Sequence, residues 1–317
     1  MRLLYEKDNY NGILKEVKKI AYLRIFCYHE KKQEVSGTDE LFSYRDDTLY
    51  CHHTRTEHPD AEDFSLHAHP MCEIYYFLSG SGTYLVEGTQ YELQPEDILI
   101  MRSAEAHHML LHADIPYERA AIHFDPAILR GADPEGLLMK PFLDRALGHG
   151  NLYRAADFPT EHWRASFQDF DLMQASGPQA RLHVYARLMS LLSDLYAAYC
   201  AREPAQPVAQ AGSLAARIVD YLNRHLFEDL SLERVSRVFY LSKSQLGRIF
   251  RAATGSSVWE YVQIKRLLAA RELLAQGQSA GKACAQCGFR DYSAFYRAYR
   301  ARFGCSPREE ADRAGTP

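Results

Sequence analysis

The chain has 317 residues, a formal net charge of −4, 47% apolar and 25% charged residues. That length favours two domains over one, and the composition is that of an ordinary globular protein. No apolar run approaches the roughly 18 residues needed to cross a bilayer. MRLLYEKDNYNG lacks the basic, apolar and small-residue sequence of a secretory leader, so a cytoplasmic protein without membrane partners is expected.

The seven cysteines (Cys27, Cys51, Cys72, Cys200, Cys284, Cys287, Cys305) are odd in number and lack framework spacing, which implies reduced thiols. Cys284 and Cys287 form a lone CxxC without a second ligand pair, so small buried side chains are expected there. Charge is unevenly divided. Residues 214–317 carry 17 Lys/Arg against 10 Asp/Glu, and residues 1–213 carry 20 against 31. A basic C-terminal third on an acidic protein points to a polyanionic partner for that third.

In chain order, residues 1–20 read as an N-terminal arm, and β-rich runs separated by turn residues continue to about residue 125. EIYYFLSGSGTYLVEG (73–88) reads as a hairpin around Ser79-Gly80-Ser81-Gly82. TQYELQPEDILIM (89–101) repeats the logic with Pro95-Glu96-Asp97 as its turn. Short strands at this spacing indicate a small sandwich or barrel. Residues 179–200 place Tyr185, Leu188, Leu192, Leu195 and Tyr199 on one helix face, which serves either packing against the barrel or self-association. AREPAQPVAQAGS (201–213) reads as a linker.

From residue 214 onward the chain reads as helical, and it repeats itself. LSKSQLGRIFRAATG (241–255) and RDYSAFYRAYRARFG (290–304) align at an offset of 49 residues. Leu246 falls on Phe295, Phe250 on Tyr299, Arg248 on Arg297, Arg251 on Arg300 and Gly255 on Gly304. Ser242 with Gln245 makes a capping box, and Asp291 is the N-cap of the second copy. A short helix precedes each copy, capped by Ser231 and by Ser279, with tight turns at Phe239-Tyr240-Leu241 and Cys287-Gly288-Phe289. This is a helix-turn-helix layout, present twice. VWEYVQIKRLLAARELLA (258–275), capped by Ser257 with Glu260, joins the units. Its 18 residues span roughly 27 Å as a helix. Successive major grooves lie roughly 34 Å apart, so one chain can present two reading heads to adjacent grooves.

Residues 214–310 resemble the DNA-binding domain of the AraC/XylS family of bacterial transcription regulators. GFRDYSAFYRAYRARFGCSP (288–307) carries the stronger likeness, and LSKSQLGRIFRAATG with the Lys265-Arg266 helix after it carries the other. Tyr240 departs from the family's turn glycine, Ser236 from alanine, and Ala283-Cys284 from an Ile-Ala pair. Arg248 and Arg297 are the leading candidates for base or phosphate contact, arginine being the commonest bidentate reader of guanine. Lys243, Ser244 and Gln245 lie at the start of the first recognition helix, and Tyr292, Ser293 and Tyr296 in the second. Arg251 and Arg300 lie further along and suit phosphates, which position without reading sequence.

His67-x-His69-x3-Glu73, with a weaker second half ending at His107, resembles the cupin barrel, which holds a divalent metal with two histidines, a glutamate and a third histidine. Asp97 stands in place of a motif glycine, no asparagine comes after the last histidine, and His107 competes with His108. Regulators of the AraC type carry a cupin-like barrel that binds an effector. The expected effector pocket therefore comprises His67, His69, Glu73, Tyr75, Phe77, Tyr84, Met101 and His107, with no cofactor required; a metal, if present, would sit on His67, His69, Glu73 and His107. His52-His53 and Cys51 read as ordinary strand or loop residues.

The expectation is an α+β protein of two domains. A cupin-like jelly-roll barrel with its arm spans 1–159, a helical packing or dimerisation segment 160–200, a linker 201–213, and an all-α pair of helix-turn-helix units 214–310. The resemblance implies a dimeric transcription regulator, an activator contacting RNA polymerase, that binds double-stranded DNA under control of a sugar or related metabolite. The alternative from another class is a metal-dependent cupin enzyme, an isomerase or dioxygenase, with an accessory helical domain.

Overall fold

A computed structural model describes residues 38–59, 64, 66–112, 115–168, 178–202 and 213–314. The arm at 1–20 and most of the linker (203–212) lie outside the described residues. Glu34–Leu268 form one compact unit, and the described residues from Ala269 onward belong to another.

The first unit begins with β1 (Thr38–Arg45), β2 (Leu49–Thr56), β3 (Cys72–Ser79), β4 (Gly82–Val86), β5 (Thr89–Glu92), β6 (Asp97–Met101), β7 (His107–Leu111), β8 (Tyr117–Phe124) and β9 (Leu152–Tyr153). They form a six-stranded sheet ordered β1-β2-β8-β3-β6-β9 and a three-stranded sheet ordered β5-β4-β7, antiparallel throughout. Alternation sorts the large sheet into two buried faces. Leu49, Cys51, Ile74, Ile98, Ile100, Ala120, Ile122 and Phe124 share one core with helical residues. Tyr75, Phe77, Leu99, Met101 and Tyr117 instead join Tyr84, Val86 and Met109 of the small sheet. The two sheets thus face each other around a lumen, and an isolated bridge joins His67, just before β3, to His107 of β7.

Helices α1 (Lys140–Leu143), α2 (His162–Gln168) and α3 (Pro178–Ala201) come next. Leu188, Leu192 and Leu195 of α3 are fully buried in the core shared with the large sheet, and Tyr185 and Tyr199 pack partly buried against it. The apolar face of α3 therefore serves packing, and that face is not a free seam between chains.

Two expected hairpins are not hairpins. β3 and β4 lie in different sheets, and so do β5 and β6. β3 already has β6 and β8 as its two neighbours, so the Ser79–Gly82 turn must carry the chain across to the other sheet. The actual two-residue hairpin is β4–β5, with Val86 opposite Thr89. Its turn residues Glu87 and Gly88 both have positive φ, 49° and 80°, the geometry that matches strand twist.

Helices α4 (Leu214–Arg224), α5 (Leu232–Val238), α6 (Lys243–Thr254) and the start of α7 (Val258–Ala275) complete the first unit. Ser231 caps α5, and Ser242 and Gln245 close a reciprocal capping box on α6. Leu246, Phe250, Val235 and Tyr261 form the buried side of this helical group. The second unit holds the end of α7 with α8 (Ala280–Gln286), α9 (Tyr292–Phe303) and α10 (Pro307–Ala314). Asp291 caps α9, whereas the Ser279 side chain makes no capping bond to α8. Ala283, Cys284 and Cys287 are buried, as are Phe295, Tyr299 and Phe303 of α9. Arg271 Nε donates to Glu310 3.1 Å away, and its guanidinium lies over the Phe303 ring. Gly255 and Gly304 end α6 and α9 in the left-handed conformation.

Candidate functional site

The lumen is built from residues of one parity on each strand. Tyr75, Phe77, Tyr84 and Met101, picked out by sequence, are all essentially inaccessible there. The Tyr75 and Tyr84 rings lie 4.6 Å apart. His67, His69, Glu73 and His107 also come together, with one ligand atom from each lying within 4.8 Å of the others. The choice between adjacent histidines is thereby resolved: His107 is the one in this cluster. His108 lies instead against Gly255 of α6, where an added Cβ would stand 2.5 Å from its ring.

Glu73 is the hub. Its Oε2 lies 2.8 Å from His69 Nε2, 3.0 Å from His107 Nε2 and 3.4 Å from His123 Nε2. Burial alone would raise the Glu73 carboxyl, yet His123 and His107 bring it well below the usual range. The opposite ring nitrogens are fixed from behind. His69 Nδ1 lies 2.9 Å from the Met71 carbonyl and His107 Nδ1 2.7 Å from the Glu105 carbonyl. A carbonyl only accepts, so each Nδ1 carries a proton and Nε2 is the nitrogen left to face Glu73, whose carboxylate accepts the hydrogen bond from His69. His107 Nε2 has no hydrogen-bond partner, and burial lowers the proton affinity of His69. Imidazole nitrogens converging on a carboxylate, those of His69 and His107 braced through Nδ1, fit the donor set of a divalent cation.

Sequence reasoning missed several lumen residues. In β8, Tyr117, Arg119, Ala121 and His123 alternate with the helix-facing Ala120, Ile122 and Phe124. His123 completes the ring of imidazoles on Glu73, and His52, read as an ordinary strand residue, has its ring 5.7 Å from that of His123. Arg119 sits opposite Thr54 on β2 and Phe77 on β3, with its guanidinium 5.6 Å from the Phe64 ring and 5.9 Å from the Tyr117 ring. The alternation in YERAAIHF was the available signal.

A second constellation lies outside the lumen, between the small sheet and the helices of the same unit. Buried Glu87 accepts from Lys265 Nζ at 2.7 Å, from the Ala106 amide at 2.7 Å, from Asn223 Nδ2 at 3.0 Å and from the Tyr261 hydroxyl. Lys265 also donates to the Ala104 carbonyl at 2.6 Å. Arg266 is buried as well, donating to the carbonyls of Leu226 and Glu228.

On the recognition helices, Lys243, Ser244, Gln245, Arg248 and Arg251 of α6 are exposed. So are Tyr292, Ser293, Arg297 and Arg300 of α9, with Tyr296 half-buried. Lys243 is paired with Glu233. Each helix buries one stripe and turns a matched pair of arginines, Arg248 and Arg251 or Arg297 and Arg300, to solvent.

Comparison with known proteins accounts for both halves. The AraC-like ligand binding domain matches residues 53–215, and a helix-turn-helix domain matches residues 235–313. The chain belongs to the AraC family of transcriptional regulators. Among its relatives, the HTH-type transcriptional regulator YfiF of Bacillus subtilis (strain 168) is 26% identical over 76% of this chain and 77% of its own length. The transcriptional activator RhaS of Enterobacter sp. (strain 638) is 24% identical over 78% of this chain and 87% of its own. The probable transcriptional regulator LumQ of Photobacterium leiognathi is 36% identical over 28% of this chain; that match spans 37% of LumQ. As an AraC-family member, the protein is a DNA-binding regulator with a ligand-binding domain rather than an enzyme. No described helix is long and apolar enough to cross a membrane.

Proposed function

We propose that this regulator places α6 and α9 in successive major grooves of its operator and answers to a small molecule held in the lumen of a cupin-like barrel. The observation that carries the reading is the matched pair of exposed arginines, Arg248 and Arg297, at equivalent positions of two helices that bury equivalent stripes. Arginine reads guanine bidentately, so these two specify sequence. Lys243, Ser244 and Gln245 on one helix, and Tyr292, Ser293 and Tyr296 on the other, line the same approach, while Arg251 and Arg300 hold phosphates. By the same reading the protein acts in the cytoplasm as a homodimer and activates through RNA polymerase, as the RhaS relative is named an activator. His67, His69, Glu73, Tyr75, Phe77, Tyr84, Met101 and His107 form the effector pocket.

Gel-shift titration of the full chain on a selected operator tests the DNA assignment. Arg248→Ala and Arg297→Ala should each cost about 1–3 kcal/mol of specific binding, tenfold or more in Kd. Unchanged affinity in both would overturn it.

Regulation of this kind requires no cofactor. A second occupancy is nevertheless supported by the convergence of four ligand atoms within 4.8 Å: we propose that His67, His69, Glu73 and His107 hold a divalent cation. Bound there, such an ion would order the pocket wall and add positive charge to the lumen.

A further inference from the structure

We propose that the lumen selects a carboxylate-bearing effector and that Arg119 is the residue that recognises its acid group. The inference rests on the effector-sensing reading and names the chemical class of the effector. Arg119 is a charged side chain on the lumen-facing parity of β8, and it is only partly exposed. Its Nε is sealed from solvent and has no hydrogen-bond partner. Among the described residues no carboxylate lies within ion-pair distance of its guanidinium; Glu118, its chain neighbour, points to the other face and pairs with His53. Glu73, the one acid on the lumen face among the described residues, is already shared by His69, His107 and His123.

Leaving a guanidinium half-buried without a counter-charge is costly, and such groups persist where a ligand completes them. Guanidinium matches a carboxylate with two parallel hydrogen bonds, a fit no neutral hydroxyl reproduces. The hydrogen-bonded Tyr75 and Tyr117 hydroxyls lie beside it, and Phe64, Phe77 and Tyr84 supply flat apolar walls. An acid with a compact apolar body satisfies both parts of the lining. Ala121, between Arg119 and His123 on the same face, is the small residue that leaves room for it.

Isothermal calorimetry on the full chain tests this with benzoate, 3-phenylpropanoate and octanoate, their matched primary amides, and neutral sugars such as L-rhamnose. The expected result is binding by at least one acid, with its amide at least tenfold weaker. Arg119→Gln should lose at least tenfold in acid affinity while keeping wild-type DNA binding, and Arg119→Lys should recover part of the loss. The lysine variant keeps the test open if the glutamine variant does not fold. Amides or sugars binding as tightly as acids, or acid affinity unchanged in Arg119→Gln, would overturn the carboxylate assignment and leave the effector reading standing. Silence across all three series would overturn both.

Discussion

At the scale of single residues, the lumen is governed by where protons and lone pairs must sit. Met71 and Glu105 lend backbone carbonyls to His69 and His107, and those two bonds fix which imidazole nitrogen faces Glu73. On the proposal that a divalent cation is held there, the same two bonds would leave the Nε2 atoms of His69 and His107 to ligate it beside Glu73. Metal analysis of protein purified without chelator should therefore find close to one divalent ion per chain. His69→Ala should lose it, and chelation should lower the melting temperature of the parent protein. A metal-free preparation whose melting is indifferent to added zinc, manganese or iron would show that the histidines serve only as partners of Glu73.

At the scale of elements, the first helix-turn-helix contains a local conflict. Tyr240 comes just after α5 with φ +55° and is 96% exposed. A left-handed backbone costs a non-glycine residue roughly 1–2 kcal/mol, and a side chain in solvent returns little of it. The equivalent turn of the second unit has Gly288 at φ +75°. Tyr240→Gly should stabilise the first unit by about 1 kcal/mol, the strain removed being partly offset by glycine's larger unfolded-state entropy. A urea midpoint that stays put or falls would contradict this.

The helical elements were legible in the sequence because their signals are local. Ser242 with Gln245, Asp291, and the glycines at 255 and 304 each act within one turn of the residue that declares them. The sheet was less legible for a physical reason. Strands β3, β6 and β8 are buried on both faces, so the polar–apolar alternation that marks a solvent face is missing. In YERAAIHF the alternation sorts two faces but does not say which of them meets the lumen, and so Arg119 and His123 went unseen. The Ser79–Gly82 turn likewise declares that the chain bends, but not whether the next strand pairs with the last or crosses to another sheet. Of the candidate pocket, the aromatic wall and the His/Glu cluster were readable; the cation opposite them was not.

At the scale of the molecule, local charge overstates what faces DNA. Lys265 and Arg266 belong to the basic C-terminal third, yet both are buried and committed to Glu87 and to backbone carbonyls. Lys265 ties the barrel to the first helix-turn-helix, and Arg266 ties α7 to the segment that follows α4. Residues 104–108 serve both sides of that contact. Ala104 and Ala106 bind Lys265 and Glu87, His107 faces the lumen cluster, and His108 rests on Gly255 at the end of α6. On the proposed effector reading, a ligand that displaced His107 would act next to the seat of a recognition helix, because His107 and His108 are neighbours on β7.

The central claim is that one chain reads two successive grooves, and in vitro selection from random duplexes, combined with base-contact footprinting, tests it most directly. The expected result is a two-part element per protomer, its halves about 10–10.5 base pairs apart, with Arg248→Ala erasing contacts in one half and Arg297→Ala in the other. A single short patch insensitive to one of the two substitutions would contradict the claim.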